Sequence, residues 1–372
     1  MRPGIPSHEV LQRSRVLQVA ILVLLTMFSP IGGAHAAGYP EPTQADFVLR
    51  DFHFAEGGTL AELRMHYFTI GAPLRDERGH IINAVLLLHG TGGRGAGFLT
   101  DAFAGELFGN GQPLDASRWF IIVPDNLGHG GSSKPSDGLR AKFPRYGYAD
   151  MVQAQRRLVT EGLGLDHLRL VVGISMGGMH AWMWAVQHAD FMDAVVPVAS
   201  LPVQVSGRNR MERRLIVDAI RNDPEWNGGN YDRQPQALVT ALRMIAISAG
   251  SARQLYLEAP TQEATDRLLD RMVEQRMHNA DANDLLYAWD ASRDYDPQPG
   301  LRRVQAQLVA VNFADDERNP PALGILEREI ANVPNGRFVL VAASERTRGH
   351  SSAANASLWK DVLTELLRQP PR

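Results

Sequence analysis

The chain has 372 residues, 44% of them hydrophobic and 21% charged, with a formal net charge of −3. This is an ordinary globular composition, with no basic field to hold nucleic acid and no charge block that would form a tail. The absence of cysteine excludes a disulfide framework, a thiolate nucleophile, a Cys-based zinc site and a lipid-modified cysteine anchor.

The N-terminus reads as a targeting segment and not as part of the fold. Arg13 and Arg15 precede the apolar run 16–28, and Ala34-His35-Ala36 then offers an A-x-A cleavage site. At 13 residues the run is short of the roughly 20 that a membrane span needs; an uncleaved anchor is the alternative. Cleavage after Ala36 removes 36 of the 372 residues and leaves 336, with a formal charge of −5. The expected location is a bacterial periplasm or beyond, with no stable membrane span once the signal is cleaved.

Two strand-like stretches follow, 47–54 and 60–70, separated by the turn signal Glu56-Gly57-Gly58. They predict an antiparallel hairpin at a sheet edge. Short, wholly apolar runs come next at 84–88, 119–123, 168–172, 194–198, 308–311 and 338–341. Continuous apolar runs of this length fit strands buried on both faces of a parallel sheet. Helical patterns lie between several of them, at 150–161, 177–187 and 353–367. The fold class is therefore α/β, with a mostly parallel eight-stranded sheet and helices on both faces. Residues 201–300 contain no convincing strand and read as helices at 211–221, 236–248, 262–277 and 283–293. They predict a helical lid inserted into a core domain made of 37–200 and 301–372.

The most informative segment is Gly173-Ile174-Ser175-Met176-Gly177, after one apolar run and before a helical pattern. This is the nucleophile-elbow arrangement, in which a serine on a tight strand-to-helix turn has small residues two before and two after it. An alcohol is a poor nucleophile at pH 7, so Ser175 needs a base within hydrogen-bond reach, and histidine titrates near neutrality. In the fold built on such an elbow the partners follow in the order serine, acid, histidine. Of twelve histidines, His350 occupies the loop between the last apolar strand and the last helix. The acid is expected after the run 308–311, where Asp315 and Asp316 are adjacent and sequence barely separates them.

The oxyanion formed by attack needs two donors: the backbone N–H of Met176, next to the nucleophile, and one from the loop His89-Gly90-Thr91-Gly92-Gly93. Thr91 is the choice there, with its neighbours as alternatives. That loop lacks the lysine of a phosphate-binding loop, and no G-x-G-x-x-G pattern is present, so no nucleotide cofactor is expected. His129 reads as structural or pocket-lining, His180 and His188 as packing or surface residues, and Trp182 and Trp184 as core. No histidine–carboxylate cluster has metal-ligand spacing, so no metal is expected.

Several signatures occur in order: Phe143-Pro144 leading to Asp150-Met151-Val152-Gln153-Ala154-Gln155-Arg156-Arg157-Leu158, then Ser175-Met176-Gly177-Gly178-Met179. Ala219-Ile220-Arg221-Asn222-Asp223-Pro224-Glu225-Trp226 and Asp281-Ala282-Asn283 follow. Over roughly 67–367 the chain resembles the homoserine O-acetyltransferase family of α/β-hydrolase-fold enzymes. The resemblance implies that the catalytic aspartate lies four residues before a proline, which selects Asp316, ahead of Pro320, over Asp315. It also implies that Arg213 points into the substrate cavity, that acetyl-CoA is the acyl donor, and that a homodimer forms through the lid. Two departures stand out. Ile174 replaces a glycine, and Ser351 replaces an aspartate, directly after the catalytic histidine, that is thought to hold the homoserine amine. A serine hydroxyl supplies no negative charge to pair with an ammonium, and an exported protein would not meet cytosolic acetyl-CoA.

The expectation is thus an exported serine hydrolase with the triad Ser175, His350 and Asp316, cleaving a small-molecule ester or other activated acyl group without a cofactor. The alternatives are an O-acyltransferase using acetyl-CoA and a catalytically inactive binding module.

Overall fold

Strand composition in this chain follows from which sheet faces are covered. A computed structural model describes residues 38–370; the targeting segment expected at 1–36 lies outside the described residues. The strands are β1 (Thr43–His53), β2 (Thr59–Ile70), β3 (Ala84–Leu88), β4 (Phe120–Pro124), β5 (Leu168–Ile174), β6 (Met192–Val198), β7 (Gln307–Phe313) and β8 (Gly336–Val341). They form one sheet in the order β1-β2-β4-β3-β5-β6-β7-β8. The β1–β2 and β2–β4 pairs are antiparallel, and the remaining neighbours are parallel.

The helices are α1 (Ala104–Leu107), α2 (Tyr148–Arg157), α3 (Met176–Gln187), α4 (Gly207–Arg221), α5 (Gln236–Ala249), α6 (Ala252–Glu258), α7 (Gln262–Met277), α8 (Ala282–Asp290), α9 (Ile325–Ile330) and α10 (Lys360–Leu367). Successive strand side chains point to opposite faces, and here both faces are packed. Leu86 and Leu88 of β3 join Met151, Val152 and Trp182 of α2 and α3 in one cluster. Val85 and Leu87 join Leu107 of α1 and Leu363 and Leu366 of α10 in another. All five β3 residues are buried, each fully buried aliphatic side chain contributing about 1.5–3 kcal/mol. The hairpin β1–β2 buries one face instead, with Leu49, Phe52, Leu63 and Met65 turned inward; Asp51, at φ 46° and without a register partner, brings Leu49 and Phe52 to the same side.

Between β6 and β7 the chain runs through α4–α8, which share a core of their own, including Ile216, Ile220, Leu238, Leu242, Leu286 and Trp289. The insertion is tied to the sheet domain by polar contacts. Ser136 donates from both N and Oγ to Asp284, at 2.9 and 2.6 Å. Tyr287 Oη donates to the Phe143 carbonyl at 2.9 Å, and Arg145 pairs with Asp290 at 2.8 Å.

Two helical expectations need correction. The pattern at 353–367 becomes a helix only from Lys360; Ser351–Ala354 and Ala356–Leu358 form short 3-10 turns. Local side-chain bonds compete with the helix there: Ser352 Oγ accepts from Arg348 N at 2.7 Å and Ser357 Oγ donates to Asn355 Oδ1 at 2.6 Å. The expected helix at 283–293 ends at Asp290 and continues as a 3-10 turn, Ala291–Asp294.

One buried carboxylate ties the edge hairpin to α2. Asp150 accepts from Ala55 N through Oδ1 and from Gly147 N through Oδ2, both at 2.8 Å. Asp150→Ala leaves both donors without an acceptor and should destabilise the protein by about 2–4 kcal/mol, read as a lowered urea midpoint.

Candidate active site

The chain reverses from β5 into α3 at a single residue. Ser175 has φ 53° and ψ −114°, a conformation that costs a non-glycine residue on the order of 1–3 kcal/mol. It is held by Ser175 N donating to the Val198 carbonyl and by Met179 N donating to the Ser175 carbonyl, both at 2.9 Å. The flanking glycines are a steric necessity. A Cβ on Gly173 would lie 1.9 Å from the Gly177 carbonyl oxygen, and one on Gly177 would lie 1.9 Å from the Leu88 carbonyl oxygen. The β5–α3 turn is thereby pressed against the end of β3.

The three expected catalytic side chains converge. Ser175 Oγ lies 2.7 Å from His350 Nε2, and His350 Nδ1 lies 2.8 Å from Asp316 Oδ2. Asp316 Oδ1 also accepts from Arg318 N at 2.9 Å and Asn319 N at 3.2 Å. Burial pushes the Asp316 carboxyl up, but the His350 imidazole and these donors outweigh it and hold the group below the usual carboxylate range. Asp315 acts elsewhere, its Oδ2 accepting from Gly349 N at 3.1 Å and so bracing the loop that carries His350. Asn319, which sequence reasoning missed, spans the acid and β6. Its amide nitrogen lies 3.3 Å from Asp316 Oδ2 and donates to the Ala199 carbonyl at 3.0 Å.

The glycine-rich loop comes up beside the nucleophile: the Cβ position of Gly90 is 3.3 Å from Ser175 Cβ. Met176 is the first residue of α3, so its N–H has no intrahelical acceptor and the positive end of the helix faces the same space. Thr91 N–H is one residue beyond Gly90. His89 pins this loop, with Nδ1 at 2.9 Å from the Gly90 carbonyl and Nε2 accepting from Asn126 N at 3.0 Å. Asn126 Oδ1 accepts from Gln155 Nε2, which also reaches His180 Nδ1 at 3.0 Å, while Gln155 Oε1 accepts from Trp184 Nε1 at 2.8 Å. A buried polar network thus links the oxyanion loop, the β4 loop, α2 and α3. No periodicity announces it, because its members come from four separate segments.

A cavity of about 700 Å³ opens from this loop toward the insertion, its walls including Thr91, Arg94, His129, Arg276, Asp284 and Trp289. Arg213 is buried, with Nε donating to Asn209 Oδ1 at 2.9 Å and its guanidinium 5.2 Å from the Trp289 ring centroid. Trp289, not Arg213, lines the cavity. Ser351 is exposed, and its hydroxyl donates to the Ala249 carbonyl at 2.9 Å. Ile174, the other departure from the family pattern, packs against the α1–α10 side of the core. Among the described residues no group of three or more His, Asp or Glu side chains is placed to hold a metal ion, and no helix is long and apolar enough to cross a membrane.

A family model described as the alpha/beta hydrolase fold matches residues 83–245, the class that the sheet order and the elbow define. The chain is 32% identical over 359 residues to a homoserine O-acetyltransferase of Leifsonia xyli subsp. xyli, covering 85% of each chain. The protein belongs to the homoserine O-acetyltransferase-like family of α/β-hydrolase-fold enzymes. Its fold matches the crystal structure of homoserine O-acetyltransferase from Bacillus anthracis with a TM-score of 0.77 at 22% identity, covering 89% of this chain and 99% of that one. It matches an acetylester hydrolase from Corynebacterium glutamicum nearly as well, at 0.75 and 21% identity, over 88% and 96% of the two chains.

The packing of the elbow can be tested by substitution. Gly177→Ala drives a methyl group into backbone and should destabilise the protein by at least about 3 kcal/mol, whereas Gly97→Ala, with nothing within 4 Å, should shift the urea midpoint little. The buried rings set the response to pH. Burial pushes His89 and His180 down and His129 to about 3, so the folded protein keeps them neutral while the unfolded chain protonates them below about 6.5. The unfolded state then binds more protons as pH falls, and stability should drain away from pH 6.5 toward pH 3. Asp316 adds to the loss at the acid end, because its contribution is present above about 3.9 and disappears as pH falls through its depressed folded value. Urea unfolding at several pH values should show a shallower acid decline for His129→Gln than for the parent protein.

Proposed function

We propose that the protein is an exported serine hydrolase that cleaves an ester or other activated acyl group through an acyl-enzyme on Ser175. Ser175 Oγ attacks the carbonyl carbon as His350 Nε2 takes its proton. Asp316 holds the imidazole in the tautomer that leaves Nε2 free, and it stabilises the imidazolium that forms. The Met176 and Thr91 N–H groups receive the oxyanion. His350 then protonates the departing alkoxide, and a water activated by the same nitrogen hydrolyses the acyl-enzyme to the free acid. The helices between β6 and β7 act as a lid that shapes the pocket.

The observation that carries this reading is the hydrogen-bonded relay from Ser175 through His350 to Asp316, at 2.7 and 2.8 Å, with a large cavity lined in part by the Thr91 loop. Hydrolysis is preferred over transfer because the residue after His350 is Ser351, whose hydroxyl is engaged with the Ala249 carbonyl. No carboxylate stands there for an amino-alcohol acceptor. The Arg13, Arg15 and Ala34-His35-Ala36 pattern supports export, which would separate the enzyme from cytosolic acetyl-CoA. The second reading, O-acyl transfer from acetyl-CoA to homoserine or a similar alcohol, is favoured by the Leifsonia xyli relative.

Turnover of p-nitrophenyl acetate separates these readings. Ser175→Ala should abolish it without lowering the melting temperature. Asp316→Asn should reduce kcat by about 10³–10⁴, and Asp315→Asn far less. Acetyl-CoA cleavage that starts only when homoserine is added would replace hydrolysis with transfer, and a full rate in Ser175→Ala would remove both.

A further inference from the structure

The geometry points to an anion-binding subsite formed by Arg94 and Arg276 on the wall of the 700 Å³ cavity, which would select acyl substrates with an apolar body and a carboxylate or phosphate group remote from the scissile bond. The charges around the cavity are unevenly satisfied. Its three carboxylates are all engaged by internal donors. Asp125 accepts from Gly95 N and Gly131 N, at 2.5 and 2.6 Å. Asp281 accepts from Asn283 N at 2.9 Å and from Tyr231 Oη and Gln234 Nε2 at 2.8 Å. Asp284 holds Ser136. Two of the basic side chains are engaged as well: Lys134 pairs with Asp137 at 2.6 Å, and His66 Nδ1 lies 2.7 Å from Asp46 Oδ1.

Arg94 and Arg276 are left. Neither makes an ion pair among the described residues, and the one side-chain hydrogen bond of Arg276 runs from Nη1 to the Met272 carbonyl on its own helix, at 2.9 Å. That bond uses one of five guanidinium donors. Arg276 is half-buried, and burial alone pushes its pKa down; since a guanidinium stays charged, its lost hydration has no compensating partner. A planar carboxylate or a phosphate is the group that a guanidinium fork pairs with in short, charge-assisted bonds. Leu242, Ile245 and Trp289, which line the same cavity, supply the apolar contact for the rest of the substrate. This assignment refines the substrate of the hydrolysis proposed above and rests on that reading for its acyl chemistry, but the binding of an anion does not depend on it.

The test titrates the full chain calorimetrically with glutarate, inorganic phosphate and the neutral diamide glutaramide, then compares p-nitrophenyl butyrate with mono-p-nitrophenyl glutarate as substrates. Glutarate or phosphate should bind where glutaramide does not, and Arg276→Gln or Arg94→Gln should weaken that binding at least tenfold. The kcat/KM ratio of charged to neutral ester should exceed ten in the parent protein and fall toward one in the variants. Binding of phosphate without glutarate would assign a phosphate-bearing substrate to the same subsite. Equal binding of glutarate and glutaramide, or an affinity indifferent to both substitutions, overturns the subsite even if neutral esters are hydrolysed. Anion binding that responds to the substitutions, with neither ester turned over, leaves the subsite standing and removes the hydrolase reading. Arg94 is exposed, so Arg94→Gln keeps the test valid if Arg276→Gln fails to fold.

Discussion

Three backbone segments meet at Ser175 with no room for a Cβ between them, and the rest of the site is organised around that contact. The Gly177 position lies against the Leu88 carbonyl, and the Gly173 position against the Gly177 carbonyl. Because β3 ends there, the loop that follows it is delivered directly to the nucleophile. The strained serine conformation persists because bonds from β6 and within α3 over-determine it. The same turn sets Ser175 Oγ within 2.7 Å of His350 Nε2.

A second feature is the separation of charge states among buried groups. Asp316 is kept ionised in a dry position by His350 and backbone donors, whereas His89, His129 and His180 are kept neutral. The neutral rings serve as hydrogen-bonding struts; a positive charge on His89 would remove the acceptor that Asn126 N uses. The buried groups of this half of the molecule thus comprise an ionised Asp316 and three uncharged rings.

The sheet was legible because strands covered on both faces cannot hide polar residues, so their runs stand out. The elbow was legible because its steric demand is written into two glycines. The last helix was misjudged at its start, since Ser352 and Ser357 satisfy local groups in ways that a hydrophobic period does not register. Asp315 and Asp316 were separated only by analogy with the family, as their difference is tertiary: one faces the backbone of Gly349 and the other the imidazole. Asn319, His89 and the cavity arginines were illegible as functional residues, because their roles exist only where distant segments converge.

The loop bearing His350 is also in contact with the insertion. A Cβ on Gly349 would lie 2.8 Å from the backbone of Gly250 and Ser251, and Ser351 donates to Ala249, so the join between α5 and α6 rests on both neighbours of His350. The insertion and the loop bearing His350 therefore share one seam, so a substitution at Gly349 or at the join after α5 strains both segments at once.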